Sequence, residues 1–252
     1  MRAWSRIPTL TGIFRMKDTM TEDSQQIFLR NFDDDAAIAD YANGPRRFTP
    51  GLDALHRMTG LLLAEHAPEN ARILVLGAGG GLELRALADA YPGWRFVGVD
   101  PAGAMLRLAA RTVGDAIDRV ELIEGLIDDA PDGPFDGATC LLTLHFLPPK
   151  AREETVRAIH RRLHPGAPFV AAHGSFPRGS QEEQARWVDR YMHFAIASGA
   201  DPEQARTARD AVLASGNMLA PEQDLEILRR GGFGDAEQFY AAFTWRGWVG
   251  HA

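Results

Sequence analysis

Cysteine is almost missing from this chain: Cys140 is the only one among 252 residues. No intrachain disulfide can form, and no cysteine-based zinc site can be assembled. Cys140 lies in an apolar run and reads as a core filler, the usual place of a free cysteine. Long hydrophobic runs are missing too. No window approaches the roughly 20 continuous apolar residues of a membrane span. The first twenty residues carry Arg2, Arg6, Arg15 and Lys17 but lack the apolar stretch of a secretory signal. A cytoplasmic protein with no membrane partner is therefore expected. Residues 1–25 read as a poorly ordered tail, and Met16 and Met20 offer alternative translation starts. Positive charge is in deficit: 27 Lys and Arg stand against 34 Asp and Glu, a net charge of -7. That gives no support for a broad basic nucleic-acid footprint, so nucleic acid is not an expected partner, although a local patch stays open.

The remaining composition is that of a soluble globular protein, 45% hydrophobic and 24% charged. The length fits one large domain, or one domain with an appendage. Strand and helix signals alternate through the middle of the chain. RILVL (72–76), RFVGVD (95–100) and RVELIEG (119–125) read as strands. A fourth lies within FDGATCLLTLHFL (135–147), and APFVAAHGSF (167–176) gives a fifth. Helical spacing occupies 82–91, 102–112 and 150–163 between them. This alternation predicts a mainly parallel sheet with helices on both faces. Residues 178–218 are charged and helical, 219–233 form a helix with Pro221 near its start and a Gly-Gly stop, and 236–252 read as two closely spaced final strands. Before the first strand, 34–68 reads as helical on both sides of a turn at Gly44-Pro45.

The stretch ILVLGAGGGLEL (73–84) places four glycines among the five residues 77–81, between a strand and a helix. Glycine reaches positive φ without strain and lets a ligand approach the backbone, at a cost in conformational entropy. The loop leaves the first strand where open α/β sheets bind ligands, at the carboxyl ends of strands near a topological switch. Asp100 ends the second strand and can accept hydrogen bonds from ribose hydroxyls. Both nicotinamide-dinucleotide and S-adenosylmethionine sites use that arrangement. Glycine spacing separates them. A dinucleotide fingerprint needs G-x-G-x-x-G/A, but from Gly77 the sixth position is Leu82. The loop reads G-x-G-x-G at Gly77, Gly79 and Gly81.

That loop resembles the first motif of the class I S-adenosylmethionine-dependent methyltransferases. GVDPAGAMLRLA (98–109) is similar to the second cofactor motif, and IEGLIDDAP (123–131) falls where the family places its adenine-binding loop. Residues 135–172 resemble the family's fourth strand, following helix and fifth strand. Within the superfamily, RRFTPGLDALHRMTGLLLAE, LLTLHFL, LHPGAPFV and GFGDAEQFYAAFTWRGWVGHA are similar to stretches of the carboxy-S-adenosylmethionine synthase group. The resemblance implies a Rossmann-like α/β fold: a seven-stranded, mainly parallel sheet with a C-terminal antiparallel hairpin strand and an N-terminal helical cap. It divides the chain into a tail (1–25) and one methyltransferase domain (26–252). Within that domain come a helical cap (26–70), a cofactor-binding core (71–176), a helical lid insertion (177–218) and a C-terminal helix with hairpin (219–252). It implies S-adenosyl-L-methionine as cofactor, held by Gly77, Ala78, Gly79, Gly81, Asp100, Pro101, Met105, Leu126, Ile127 and Leu141. No metal is implied. The family usually carries an acid two residues before the first glycine, where this chain has Val75. Glu83 either compensates or faces solvent. Leu126 stands at the adenine-loop acid, with Asp128 as a shifted candidate. Arg209 lies near, but out of register with, the arginine that the synthase group uses for its cofactor's extra carboxylate. Ordinary rather than carboxylated cofactor is therefore expected.

Methyl transfer needs an acceptor close to and in line with the donor. His145 follows the fourth strand and His173 ends the fifth, so both are expected at the open edge of the sheet as candidate catalytic bases. Local hydrogen bonding is the plainer reading of each. Trp187, Tyr191, His193 and Phe194 in the 178–218 insertion either pack onto the sheet or form a lid over an apolar acceptor. Tyr41, Arg46 and Arg47 stand on the other side. His160 and His164 are expected on a solvated face. The expected activity is methylation of a small molecule. The alternatives are a synthase-like enzyme of tRNA wobble-uridine modification and a cofactor-binding partner protein without chemistry. A homodimer is compatible with all three.

Overall fold

The computed structural model describes residues 44–252. Two helices come first, α1 (Gly44–Phe48) and α2 (Leu52–Ala64). The chain then alternates through β1 (Arg72–Leu76), α3 (Leu82–Ala90), β2 (Arg95–Asp100), α4 (Gly103–Val113), β3 (Val120–Glu124), β4 (Gly137–Leu141), α5 (Pro149–His160) and β5 (Pro168–Gly174). Helices α6 (Gln181–Ala197), α7 (Pro202–Ala214) and α8 (Pro221–Arg230) follow, and β6 (Glu237–Ala242) and β7 (Trp245–His251) close the chain. The seven strands form one sheet in the order β3-β2-β1-β4-β5-β7-β6. All pairs are parallel up to β5, and β7 runs antiparallel to both β5 and β6.

Both faces of the inner strands are covered, which explains why β1, β4 and β5 read as near-continuous apolar runs, whereas the edge strands β3 and β6 do not. Ile73, Val75 and Phe96 face one core with α2, α3 and α4 residues such as Leu55, Leu84 and Leu106. Leu74, Leu76 and Val97 face the other, with Val156 and Ile159 of α5 and Ile227 and Leu228 of α8. The order reverses between β1 and β4, so the switch point lies where the glycine loop leaves β1.

The structure refines the sequence reading at three places. Gly44 and Pro45 are helical, within α1, rather than forming a turn. Proline suits a first helical turn, where its missing N–H is not needed. The break instead falls at Gly51, which adopts φ 70° ahead of α2. The charged 178–218 region forms two helices. Ser180 caps α6 by accepting from the Glu183 N–H, and Asp201 caps α7 with Pro202 behind it. Residues 144–146, after the fourth strand as expected of His145, form a short 3-10 turn. Tyr41, the tail and the cap before residue 44 lie outside the described residues.

Candidate functional site

The glycine loop is built by backbone geometry. Gly77, Gly79 and Gly81 have φ of 77°, 51° and 81°, values that side chains rarely tolerate. Two of them also meet close neighbours. A Cβ on Gly81 would sit 2.7 Å from Ala109 Cα of α4, and one on Gly77 would collide with the Thr143 hydroxyl. The Gly77 and Ala78 N–H groups both donate to Val99 O, at 2.8 and 3.1 Å, tying the loop to β2.

Asp100 sits at the carboxyl end of β2, beside that loop. Its Oδ2 accepts from Gly79 N–H at 2.9 Å and its Oδ1 from Ala102 N–H at 3.0 Å. Burial pushes the carboxyl up, while these two amides pull it back toward ionisation. Each oxygen retains acceptor capacity beyond one bond. Pro101 lies half-buried next to it, and Met105 is buried in a small cluster with Ala102 and Ala104. The loop after β3 presents Leu126, 44% exposed, above a buried Ile127. Asp129 organises that turn by accepting from Leu126 N–H, whereas Asp128 is exposed. Leu141 ends β4 and is buried, and Leu142 after it adopts φ 58°. A non-glycine residue held there stores strain of a kind concentrated at ligand sites.

Glu83 corrects one reading outright. It does not face solvent: it is 6% exposed on the first turn of α3, and burial pushes its carboxyl up to about 7 despite the Thr139 hydroxyl beside it. Thr139 is the β4 partner of Val75.

The two histidine rings lie side by side, with centroids 6.5 Å apart, but their surroundings differ. His145 lies in the turn after β4, 6% exposed, with its ring 4.1 Å from Phe146 and edge-on to Trp245 at 5.5 Å. Burial, then the neighbouring His173 and Arg152, hold its pKa well below the usual histidine value. It is therefore neutral at physiological pH. His173 does not open onto the crevice expected of it. It is 1% exposed, and strand alternation turns its ring to the α5/α8 face, where Nε2 lies 3.2 Å from Asp224 Oδ1. Asp224 also pairs with Arg152 of α5, which donates to Leu147 O and, at 2.7 Å, to Asn217 O. Burial works against the charge on Asp224, but His173 and Arg152 outweigh it and hold the carboxyl below its usual range. Neither Arg152 nor Asp224 announces itself in the sequence, since each sits in an ordinary charged helix segment. His160 is not on a free solvated face either, because its ring packs edge-on against Phe233 at 5.1 Å.

Above the strand ends, α6 packs inward through Tyr191, which meets Phe48 of α1 at 5.8 Å and Trp245 at 6.5 Å. Trp187 lies under Arg190, 4.6 Å from its guanidinium, and Phe194 meets Phe243 at 6.0 Å. His193 is exposed. Arg46 pairs with Asp53 at 3.2 Å, and Arg209 with Asp189 at 2.6 Å and Asp210 at 2.8 Å. Among the described residues, no group of His, Cys, Asp and Glu is placed to hold a metal ion, and no helix is long and apolar enough to cross a membrane.

Residues 74–169 match the family model of a methyltransferase domain. The carboxy-S-adenosyl-L-methionine synthase of Chromohalobacter salexigens is 30% identical over 199 residues, covering 76% of this chain and 73% of that protein. The protein of the same name from Hydrogenovibrio crunogenus is 24% identical over 245 residues, 94% of this chain and 96% of its own. Among solved structures, PigF with SAH superposes with a TM-score of 0.64 at 21% identity, over 89% of this chain. The chain spans 62% of PigF's length. Human N-acetylserotonin methyltransferase in complex with SAM gives 0.55 at 14% identity, over 97% of this chain and 59% of that one. The chain belongs to the class I S-adenosylmethionine-dependent methyltransferases, and S-adenosyl-L-methionine is its cofactor.

Proposed function

We propose that this is a cytoplasmic enzyme that methylates a small molecule, with donor and acceptor meeting over the carboxyl ends of β1 and β4. The observation that carries this reading is Asp100. Its carboxylate is fixed by Gly79 and Ala102 N–H groups at the end of β2, with acceptor capacity left for a ribose diol. Gly77, Ala78, Gly79 and Gly81 form the cradle. Pro101, Met105, Leu126, Ile127 and Leu141 supply the apolar surroundings of the adenosine. The bound cofactor supplies an electrophilic methyl group.

The chain's own contribution is mostly positioning, which can account for a large share of the rate in such transfers. The aromatic set of Phe48, Tyr191 and Trp245 beside His145 suits an apolar or aromatic acceptor. His145 is neutral, so it can take a proton from an acceptor hydroxyl or amine. His173 acts through structure: it joins β5 to Asp224 and Arg152.

A second reading follows from the relatives, whose name is carboxy-S-adenosyl-L-methionine synthase. Against it stands Arg209, which is already engaged by two aspartates. Mass spectrometry of ligand released from purified protein tests both readings. Ordinary S-adenosylmethionine or S-adenosylhomocysteine is expected. A carboxylated sulfonium would favour the synthase reading, and a nicotinamide dinucleotide would overturn both.

A further inference from the structure

Among the described residues Glu83 has no counter-ion, and it sits at the point where the sheet reverses its strand order. It follows Gly81 by two residues and sits on the first turn of α3, whose N-terminus favours negative charge. Its side chain lies against Thr139 of β4, on the same face as Val75 and across the switch point. The Thr139 hydroxyl is close enough to favour the charged carboxylate, but Glu83 Oε1 and Thr139 Oγ1 make no well-formed hydrogen bond with any described residue. Among the described residues, no cation contributes to the environment of Glu83. Buried carboxyls are ordinarily paired, and an unpaired one in a native protein calls for a reason.

We propose that Glu83 receives the α-amino group at the methionine end of the cofactor, supplying the negative charge that Val75 cannot. This rests on the glycine loop holding S-adenosylmethionine. An ammonium there would satisfy the orphan oxygen and lower the cost of ionising the buried acid. Without ligand, Glu83 titrates near 7. With the ammonium in place its carboxyl falls, so binding releases a proton below pH 7. Affinity should therefore rise as pH rises through 7, then level off.

Other groups near the site leave that window clear or can be separated from it. Cys140 on β4 feels the charges of Glu83 and Asp100, and burial holds it as a thiol. His56 on α2 is pushed down to about 4 by burial. Arg107 and Arg111 of α4 are exposed. Asp100 is raised by burial, and its share persists in a Glu83 variant.

Calorimetric titration with two probes tests the assignment. S-Adenosylhomocysteine carries the amino group, and 5′-methylthioadenosine lacks the amino-acid portion. At pH 8, Glu83→Gln should weaken the first by about 10- to 150-fold, the range of a charge-assisted hydrogen bond. It should leave the second within about twofold. For the wild-type protein, titration at pH 6 in two buffers of different ionisation enthalpy should show proton release with the first probe alone. That readout needs no variant to fold. If the wild-type protein binds neither probe, the cofactor reading fails and this assignment with it. If it binds both, and a folded Glu83→Gln protein loses neither or loses both equally, the Glu83 assignment alone is overturned.

Discussion

The proposed cofactor site rests on Asp100. Its two oxygens are held by one amide from the glycine loop and one from the start of α4, so it cannot swing away. Asp100→Ala should therefore weaken S-adenosylhomocysteine binding by about 10- to 150-fold, from charge-assisted bonds of roughly 1.5–3 kcal/mol. An unchanged affinity in a folded variant, measured by calorimetry, would remove Asp100 from the site. His145 makes a separate demand. Burial keeps its imidazole unprotonated well below pH 6.5. At saturating cofactor, kcat should thus stay flat from pH 8 down to 6.5, because the base form is not lost in that window. His145→Gln should lower kcat by about 10²–10⁴-fold if the acceptor still carries its proton, with cofactor affinity unchanged. Full turnover in that variant would leave catalysis to positioning alone.

Among the elements, the least expected joint is the buried triad of Arg152, Asp224 and His173, which ties α5, α8 and β5 together. Removing one member of such a buried pair leaves an uncompensated charge, at a cost of about 3–5 kcal/mol. Asp224→Ala should show that loss in urea unfolding. A change below about 1 kcal/mol would mean that the joint carries no load. The pH dependence follows from the depressed carboxyl of Asp224. Its contribution is present above the unfolded value of about 3.9 and is lost as pH falls through the lower folded value. Unfolding below pH 4 should accordingly be steeper for the wild-type protein than for Asp224→Ala. The strands were legible beforehand because alternating apolar segments with short connections admit few arrangements. The terminal hairpin was legible because 236–252 leaves room only for two short strands. The triad was not, since pairing between residues 152 and 224 depends on which helices share a face, and charge spacing along one helix says nothing about that. His173 was misplaced for a related reason. Its position at a strand end is local, but the face its ring takes depends on strand alternation one residue at a time. Glu83 was half legible: its nearness to the loop could be counted, but its burial against Thr139 required the β1–β4 register.

For the whole molecule, the sheet order brings the glycine loop, Asp100, Glu83 and the turn holding His145 to one edge, and α6 packs against Phe48 and Trp245 through Tyr191. Such a fold should respond to its cofactor as one unit. A ligand present at 100 times its dissociation constant stabilises by about 2.7 kcal/mol, which for a chain of this size raises Tm by roughly 5–10 °C. S-Adenosylhomocysteine should produce that shift and NADH should not, as the glycine spacing requires; a larger shift with NADH would reverse the cofactor assignment. The central claim is methyl transfer to a small molecule. Its most direct measurement is incubation of the purified protein with methyl-deuterated S-adenosylmethionine and a small-molecule extract, followed by mass spectrometry. The expected result is S-adenosylhomocysteine formed one-for-one with a metabolite that carries the deuterated methyl group. Conversion of the donor into a carboxylated sulfonium that retains deuterium on the former methyl carbon, with no labelled metabolite, would contradict it.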